Sequence, residues 1–375
     1  MKAALFRLIY IVTRLLRPRR KPSATWTVLI LQYQMPLGCC VHGTPLSIAL
    51  KAAHPSATIL VATRGMGAAV LQHDPNVDHL ILTEDPNPSL SARWRVAQQI
   101  RSELRARDLR PTLILQDASS KAGSFALFAA LLRLAPTAGF ANAAPLYDRH
   151  YDYDWTRSLI DNNLRLAGDS AHIEPAIYFT ADELSAARAL LADANPASRP
   201  LTAIVLQGSG GQRTDWHDDR FAAVIRHAES LGHQVLFLGT AADAAIIDRI
   251  RALAGSSGVS LAGRTSIPQL AAVLCLCDLL VTLDTGTLHI GRATGLPSIV
   301  LGPCWQNPLE WLPLGLPNVR ILRGPDQPTI PPNYRLDEIT VTDVTAAIDQ
   351  LSQLYPASPS DRERRANRLL STTRP

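Results

Sequence analysis

The chain has 375 residues, enough for two domains of ordinary size, and its 47% hydrophobic residues exclude a disordered protein. The formal net charge of +5 is concentrated at the two ends: residues 2–21 carry seven Lys or Arg, and residues 361–375 carry five Arg against two acids. The remaining body therefore has a net charge of −5. Because a nucleic-acid enzyme usually spreads basic groups over its body, we expect no nucleic-acid partner.

Residues 1–22 form a basic segment that is amphipathic on a helical wheel. One face carries Leu5, Leu8, Ile9, Val12 and Leu16, and roughly the opposite side carries Arg7, Arg14 and Arg17. The uncharged stretch, residues 8–13, is too short for a membrane span or a signal sequence. The pattern favours a helix that lies on an anionic membrane surface. A helix docked on the protein itself and a frayed extension are the alternatives.

The body alternates short apolar runs with helical segments. In the first half, strands are predicted at residues 28–31, 58–62, 79–82 and 113–115, and helices at 42–53, 94–107, 124–134 and 155–166. After a linker at 195–200, strands are predicted at 203–206, 235–238, 279–283 and 298–301, and helices at 219–231, 242–254, 268–277 and 289–294. This rhythm predicts an α/β protein with two Rossmann-like domains whose parallel sheets face a central cleft.

The cysteine and acidic patterns argue against disulfides and metal sites. The five cysteines are Cys39, Cys40, Cys275, Cys277 and Cys304, an odd number without a C-x-x-C pair, which indicates reduced thiols in a cytoplasmic protein. Asp152-Tyr153-Asp154 matches the D-x-D pattern of metal-dependent glycosyltransferases, but it precedes a predicted helix, whose first turn favours acidic residues anyway. P-loop, G-x-G-x-x-G and zinc-ligand spacings do not occur in the sequence. We therefore predict no metal and no cofactor.

The most informative motif is Asp284-Thr285-Gly286-Thr287-Leu288-His289, which follows a predicted buried strand and opens a helix. Gly286 lets the backbone approach a ligand closely, and the free amides at the helix start suit a diphosphate. Asp284 can accept a hydrogen bond from a sugar hydroxyl, and His289 lies one turn into the helix. The alternative is an ordinary helix start that Asp284 or Thr285 caps, with His289 as a packing residue.

Neighbouring segments extend this motif into a longer pattern. They are Leu261-Ala262-Gly263-Arg264-Thr265-Ser266, Ala293-Thr294-Gly295-Leu296-Pro297, Gly302-Pro303 and Glu310-Trp311-Leu312-Pro313. With the motif itself, they resemble the ADP-heptose:lipopolysaccharide heptosyltransferase family. The front half is similar to the same family at Leu37-Gly38, His42, Pro45 and Asp74-Pro75-Asn76-Val77-Asp78. Gln207-Gly208-Ser209-Gly210, Trp216 and Arg220-Phe221 resemble the opening of the family's second domain.

The resemblance covers nearly all of residues 27–350 and implies the two-domain GT-B fold and an inverting, metal-independent sugar transfer. It implies an N-terminal acceptor domain, which we place at 23–194, and a C-terminal nucleotide-sugar domain, which we place at 200–355, followed by a basic tail at 356–375. The donor implied is a nucleotide-diphosphate sugar, most simply ADP-heptose, and the acceptor is a lipopolysaccharide core or related lipid-linked glycan. Such an enzyme is expected in the cytoplasm, peripheral on the inner membrane.

Two positions depart from the family pattern. The family has an Asp after Leu37-Gly38, taken to be the general base, and here Cys39 stands there. The family also has a Lys that contacts the donor phosphates, and here that position is Thr214, with Arg213 beside it as a replacement cation. A thiolate is a poor copy of a carboxylate base, so the base is expected to lie elsewhere.

Candidate site residues follow from these comparisons. Cys39, His42 and Asp117 are the catalytic candidates, because His42 lies one turn along the same helix and Asp117 follows a strand end. The family can also use His42 in a supporting role, and Asp117 can be a helix cap beside Ser119. The predicted donor-binding residues are Gly208, Ser209, Arg213, Gly239, Asp284, Thr285, Gly286 and His289.

Two other classes of protein compete with the transferase. The loss of the family Asp at Cys39 is what a non-catalytic sugar-nucleotide-binding protein of the same fold would show. A nicotinamide-dependent oxidoreductase would need a glycine fingerprint at residues 32–38, which the sequence lacks.

Overall fold

The computed structural model describes residues 2–16, 26–34, 36–140, 147–208 and 215–371, with residues 2–7 and 9 as backbone alone. The chain divides into two compact units, Met1–Pro175 and Ala176–Pro375. Each unit is built on one parallel sheet of six strands covered by helices, as the alternation of strands and helices in the sequence predicts.

The first unit has the strand order β3-β2-β1-β4-β5-β6, and each of its strand pairs is parallel. Its strands are β1 (Thr27–Leu31), β2 (Thr58–Thr63), β3 (His79–Leu82), β4 (Leu113–Gln116), β5 (Thr137–Phe140) and β6 (Arg149–Tyr151). Its helices are α1 (Lys2–Leu15), α2 (Leu37–Ala53), α3 (Gly65–Leu71), α4 (Leu90–Ala106), α5 (Gly123–Leu132) and α6 (Leu159–Leu164), with a 3₁₀ turn at Arg165–Ala167.

The second unit repeats this topology in the order β12-β11-β10-β7-β8-β9, also with parallel pairs. Its strands are β7 (Leu201–Val205), β8 (Gln234–Leu238), β9 (Val259–Ser260), β10 (Leu279–Leu283), β11 (Ser298–Leu301) and β12 (Val319–Leu322). Its helices are α7 (Ala181–Ala194), α8 (Asp218–Ser230), α9 (Ala244–Ala254), α10 (Ile267–Cys275), α11 (Gly286–Thr294), α12 (Pro308–Trp311), α13 (Val341–Leu354) and α14 (Pro359–Leu369), with a 3₁₀ turn at Ala241–Asp243.

The central strands explain why the sheets are parallel and fully covered. Every residue of β1, β7 and β10 is buried, because each of these strands is a short apolar run with both faces against helices. In each sheet the chain order reverses next to the first strand, between β1 and β4 in one unit and between β7 and β10 in the other. Loops leaving the carboxyl ends of two strands at such a switch point diverge, and ligands bind in the crevice between them.

Helix α14 gives the basic C-terminal segment a structural role. Arg362 pairs with Asp278 (Nε–Oδ1 2.8 Å), and Arg365 donates to the carbonyls of Cys275 (3.1 Å) and Cys277. Arg368 donates to the carbonyl of Ala293 (2.9 Å) in the last turn of α11. Guanidinium groups at helix C-termini satisfy open carbonyls and complement the helix dipole. The segment expected to be a tail at 356–375 is therefore a packed helix over most of its length.

Helix α7 also belongs to the second unit, because the units divide between Pro175 and Ala176. The sequence instead predicts that residues 181–194 lie in the first domain, with the linker after them. Its buried side chains, Leu184, Ala187 and Leu191, lie on one helical face, and the helix packs against α10. That contact keeps α7 with the second sheet.

Among the side chains of helix α1 that the structure describes, Tyr10 and Thr13 are buried and the others are exposed. Tyr10 joins the first unit's core beside α5, and its hydroxyl donates to Asp148 Oδ1 at 3.2 Å. Five apolar side chains of the helix and its last turn are exposed by 43–78%, namely Leu8, Ile11, Val12, Leu15 and Leu16. No helix within the described ranges is both long and apolar enough to span a bilayer.

Candidate functional site

In the second unit, the switch point is formed by the end of β10 and the start of α11. Thr285 is the N-cap residue of α11, with φ −141° and ψ 173°, but its side chain makes no capping hydrogen bond. Its hydroxyl Oγ1 is buried and has no hydrogen-bond partner within the part of the chain that the structure describes. An uncapped helix start with an unused buried hydroxyl is suited to bind the oxygens of an anion.

Asp284 and His289 flank this helix start and are both almost fully buried. His289 Nε2 lies 3.9 Å from Asp284 Oδ1. Burial raises the pKa of Asp284 to about 6. Burial, with a contribution from the Arg292 cation, lowers the pKa of His289 to about 3. His289 is therefore neutral at physiological pH. Asp284 changes its charge near that pH, so its strength as a hydrogen-bond acceptor depends on pH.

Of the other residues predicted to bind the sugar-nucleotide donor, two follow strands of the same sheet and two are outside the described ranges. Gly208 follows β7, and Ser209 and Arg213 lie outside the described residues. Gly239 follows β8, where a Cβ would come within 2.8 Å of Asp243 Oδ2. This close contact with Asp243 accounts for the glycine without a bound donor.

Sequence reasoning missed Trp305, in the loop after β11. Its indole Nε1 is buried without a hydrogen-bond partner among the described residues. The neighbouring Cys304 thiol is fully used, because Sγ donates to the Tyr334 hydroxyl at 3.1 Å. The family-like Gly302-Pro303 directly before Cys304 was the signal that could have drawn attention to Trp305.

In the first unit, the switch point brings together the end of β4 and the loop between β1 and α2. Asp117 follows β4 and is 1% exposed. Its Oδ1 accepts from Ser119 Oγ at 2.7 Å, and its Oδ2 has no hydrogen-bond partner within the described ranges. Burial raises its pKa to about 6, although hydrogen bonds, first from Ser119, oppose the shift.

Gln32, which sequence reasoning also missed, lies between Asp117 and α2. A Cβ at Gly43 would lie 2.2 Å from Gln32 Nε2 and 4.0 Å from Asp117 Oδ2, so these groups share one small space. Gln32 Nε2 donates to the Cys40 carbonyl at 3.3 Å. The glycine on α2 is what lets two polar side chains approach the helix so closely.

The two catalytic candidates on α2 are buried within the first unit. Cys39 is 8% exposed and His42 is 0% exposed. Asn163 ties their helix to the Asp117 loop, because its Nδ2 donates to the His42 carbonyl (3.0 Å) and its Oδ1 accepts from the Ala118 amide (2.7 Å). These two hydrogen bonds and the packing of α2 on α6 hold Cys39 and His42 inside the unit.

The D-x-D segment has structural roles of its own. Asp154 Oδ1 accepts from the Thr156 amide at 2.9 Å, as in an Asx turn, and the Asp152 side chain is 99% exposed. Within the described ranges, no cluster of three or more His, Cys, Asp or Glu side chains could hold a metal ion.

Two parallel Rossmann-like sheets, each with polar groups at its switch point, define a protein of the GT-B fold class. The sequence profile of "Glycosyltransferase family 9 (heptosyltransferase)" matches residues 98–323. The match spans more than half of the chain, so the chain belongs to this family.

Individual relatives agree with this assignment. A curated relative, the lipopolysaccharide core heptosyltransferase OpsX of Haemophilus influenzae, is 32% identical over 101 residues, which are 26% of this chain and 29% of that protein. The chain thus matches about a third of the length of its curated relatives. A glycosyltransferase family 9 structure from Veillonella parvula superposes with a TM-score of 0.76 at 20% identity, covering 90% of this chain and 100% of the other. The E. coli ADP-heptose lipopolysaccharide heptosyltransferase II superposes with a TM-score of 0.70 at 19% identity, covering 88% and 100%.

Proposed function

We propose that this protein is an inverting glycosyltransferase that moves a sugar, heptose from ADP-heptose, onto a lipopolysaccharide core or related lipid-linked glycan. The observation that carries the proposal is the start of α11, where an uncapped helix and the unpartnered Thr285 hydroxyl offer donors to a diphosphate. Family membership supports the reaction class, and the names of the relatives support heptose and lipopolysaccharide.

The reaction is an in-line displacement at the anomeric carbon of the donor sugar. The acceptor hydroxyl oxygen forms the new bond to this carbon while the bond to the diphosphate oxygen breaks. The leaving diphosphate keeps the electron pair, and the amides at the start of α11 stabilise its charge. Asp284 accepts a hydrogen bond from a donor hydroxyl, which fixes the sugar for attack. The proton of the acceptor hydroxyl passes to a base.

Asp117 is our candidate for that base. A carboxylate whose pKa is about 6 can accept a proton near neutral pH and return it to water. Its Oδ2 has no hydrogen-bond partner within the described ranges. Because Asp117 is 1% exposed, contact with an acceptor requires its loop to open. Cys39 and His42 are the rival candidates on α2.

A membrane-facing role for α1 belongs to the same proposal. The helix turns Tyr10 into the protein and keeps five apolar side chains outward, while residues 2–21 carry seven Lys or Arg. An outward apolar face flanked by cations binds anionic bilayers. The enzyme would then meet its lipid-linked acceptor at the inner membrane surface.

The alternative is a non-catalytic sugar-nucleotide-binding protein of the same fold. Cys39 at the family's base position and the burial of Asp117 favour it. Donor binding is common to both functions, so only transfer separates them.

The deciding experiment pairs donor binding with transfer. Calorimetry measures ADP-heptose binding, and mass spectrometry measures heptose added to lipopolysaccharide from a heptose-deficient strain. Binding and transfer together are the expected result. Donor binding without transfer establishes the alternative, and no binding of ADP-heptose or of other nucleotide sugars overturns both.

A further inference from the structure

A pair of aromatic rings, one half-buried and one exposed, stands at the carboxyl edge of the first sheet. Tyr153 and Trp155 follow the end of β6, and their ring centroids are 4.8 Å apart at an interplanar angle of 65°. The Lys121 ammonium lies 3.4 Å from the Tyr153 ring centroid and 4.5 Å from the Trp155 ring centroid. Trp155 is nevertheless 58% exposed, an unusual position for the largest apolar side chain.

The loop that carries the two rings is held rigidly. The buried Asn162 accepts from the Asp154 amide at 3.0 Å and donates back to the Asp154 carbonyl at 2.9 Å. Arg165 donates to the Asp152 carbonyl at 2.6 Å, and Tyr153 packs against the fully buried Phe140 ring at 6.0 Å. The backbone and the Tyr153 ring beside the exposed indole are therefore held in place, as a preorganised binding surface requires.

Topology places this surface beside the catalytic candidate of the first unit. Lys121 lies four residues after Asp117 in the loop that leaves β4, and Phe140 is the last residue of β5. The strands β4, β5 and β6 are consecutive in the sheet, so the three carboxyl ends adjoin. A molecule stacked on Trp155 thus lies along the same sheet edge as Asp117.

We propose that Tyr153, Trp155 and Lys121 form a subsite for an acidic sugar ring of the acceptor glycan. The apolar face of a pyranose stacks on the exposed indole, since Trp combines a large rigid apolar surface with a polar edge. The Lys121 ammonium faces an anionic substituent of that sugar, a carboxylate or a phosphate. The Asp152 carboxylate, which is 99% exposed and lies 3.4 Å from His150 Nε2, is placed to accept from ring hydroxyls. This inference rests on the proposed transferase function.

The test measures acceptor binding without donor, using O-deacylated core oligosaccharide from a heptose-deficient strain and maltotriose as the neutral probe. Calorimetry should show that the wild type binds the oligosaccharide and not maltotriose. Trp155→Ala should weaken binding about ten-fold, the loss expected for one stacked aromatic. Trp94→Ala is the matched control, because Trp94 is also exposed (49%) and also carries a cation, Arg101, near its ring, but it lies on α4.

Kinetics provide a second readout. Trp155→Ala should raise the acceptor KM about ten-fold and leave both the donor KM and kcat at saturating acceptor unchanged. Lys121→Met should remove the preference for the acidic oligosaccharide, and Lys121→Arg should keep it. Dephosphorylated oligosaccharide distinguishes the two anions: retained binding identifies a carboxylate, and lost binding identifies a phosphate.

The subsite is overturned if the wild type does not bind the oligosaccharide, or if Trp94→Ala and Trp155→Ala lose the same oligosaccharide affinity. It is also overturned if Trp155→Ala loses only vesicle binding, because Tyr153 and Trp155 would then be a membrane contact. Failure of the proposed function looks different. A wild type that binds the oligosaccharide but transfers no sugar would reject the transferase and leave the glycan subsite in place.

Discussion

His289 Nε2 and Asp284 Oδ1 lie 3.9 Å apart at the buried start of α11, and burial moves their pKa values in opposite directions. Both shifts favour the neutral forms. The pair therefore forms a buried hydrogen-bonding site next to the amides of α11, with a neutral His289 and a carboxyl group at Asp284 that ionises near pH 6. A site of this kind costs stability when Asp284 ionises, because the carboxylate has lost its hydration.

That cost predicts a pH-dependent gain in stability for Asp284→Asn. The folded pKa of Asp284, about 6, lies above the usual 3.8, so the native state is destabilised as pH rises from about 4 to about 6 and the cost is complete above that window. At pH 8, Asp284→Asn should raise the free energy of unfolding by at most about 3 kcal/mol, and at pH 4 by almost nothing. Urea denaturation at both pH values measures this.

Asp152→Asn is the control for this series, because the Asp152 side chain is 99% exposed and its pair with His150 (3.4 Å) is solvated, so neutralisation should change stability little at either pH. An equal gain from Asp284→Asn at pH 4 and pH 8 would show that desolvation of the carboxylate is not the cause.

Gly286→Val should abolish binding of the donor diphosphate while the fold persists. Gly286 is the first residue of α11 and does not adopt a positive φ, so a side chain is tolerated by the backbone. The effect comes instead from a branched side chain over the amides that approach the phosphates. Calorimetry with ADP checks the prediction, circular dichroism checks the fold, and unchanged ADP affinity in a folded variant would contradict it.

The general base is tested by a panel at Cys39, His42 and Asp117. We expect Asp117→Asn to lower the single-turnover rate about 10²–10⁴-fold, the usual loss when a general base is removed. Cys39→Ala should have little effect, because a buried thiol is a weak proton acceptor. His42→Ala tests the second candidate, because its single-turnover rate should fall in the same way if His42 is the base.

Cys39→Asp completes the panel, because it restores the family's residue at that position. If the base has moved to another residue, Cys39→Asp should leave the rate unchanged or lower it. If the protein is a transferase that has lost its activity, Cys39→Asp should raise the rate from near zero. A large loss in Cys39→Ala alone would mean that the thiol takes part in the chemistry and that Asp117 does not.

Membrane attachment through α1 is tested by point substitution, because deleting the segment would also remove Tyr10 from the core of the first unit. The double variant Ile11→Ser/Leu15→Ser should lower binding to phosphatidylglycerol vesicles at least ten-fold, since each apolar side chain contributes about 1.5–3 kcal/mol when buried. Leu253→Ser, in the second unit, is the control, because Leu253 is 53% exposed on α9. Equal vesicle binding by the double variant and the wild type would rule out α1 as the anchor.

Much of the fold was predictable because buried parallel strands leave a strong local signal. The apolar runs at β1, β7 and β10 predicted two Rossmann-like sheets, and the confirmed GT-B class follows from their order. Strands β5 and β6 were missed because their residues, Thr137–Phe140 and Arg149–Tyr151, lack a continuous apolar run. The helix predicted at 155–166 is shorter, Leu159–Leu164 with a 3₁₀ turn after it.

Helix α14 shows why a charged segment escapes prediction. Its buried side chains are Ala366 and Leu369, too few to give an apolar period. Its arginines instead find partners in Asp278 and in helix-end carbonyls that are distant in sequence. Only packing reveals such partners.

The sequence by itself determined the fold class, the family and the Asp284–His289 motif, because these depend on local runs of residues and on spacing along the chain. The tertiary structure decided the burial of Asp117 and His42, the approach of Gln32 to Gly43, and the pairing of Lys121 with Trp155. Each of these depends on which residues a sheet edge brings together. Desolvation, and with it the pKa of a carboxyl group such as Asp117, is a property of that surrounding space and not of the neighbours along the chain.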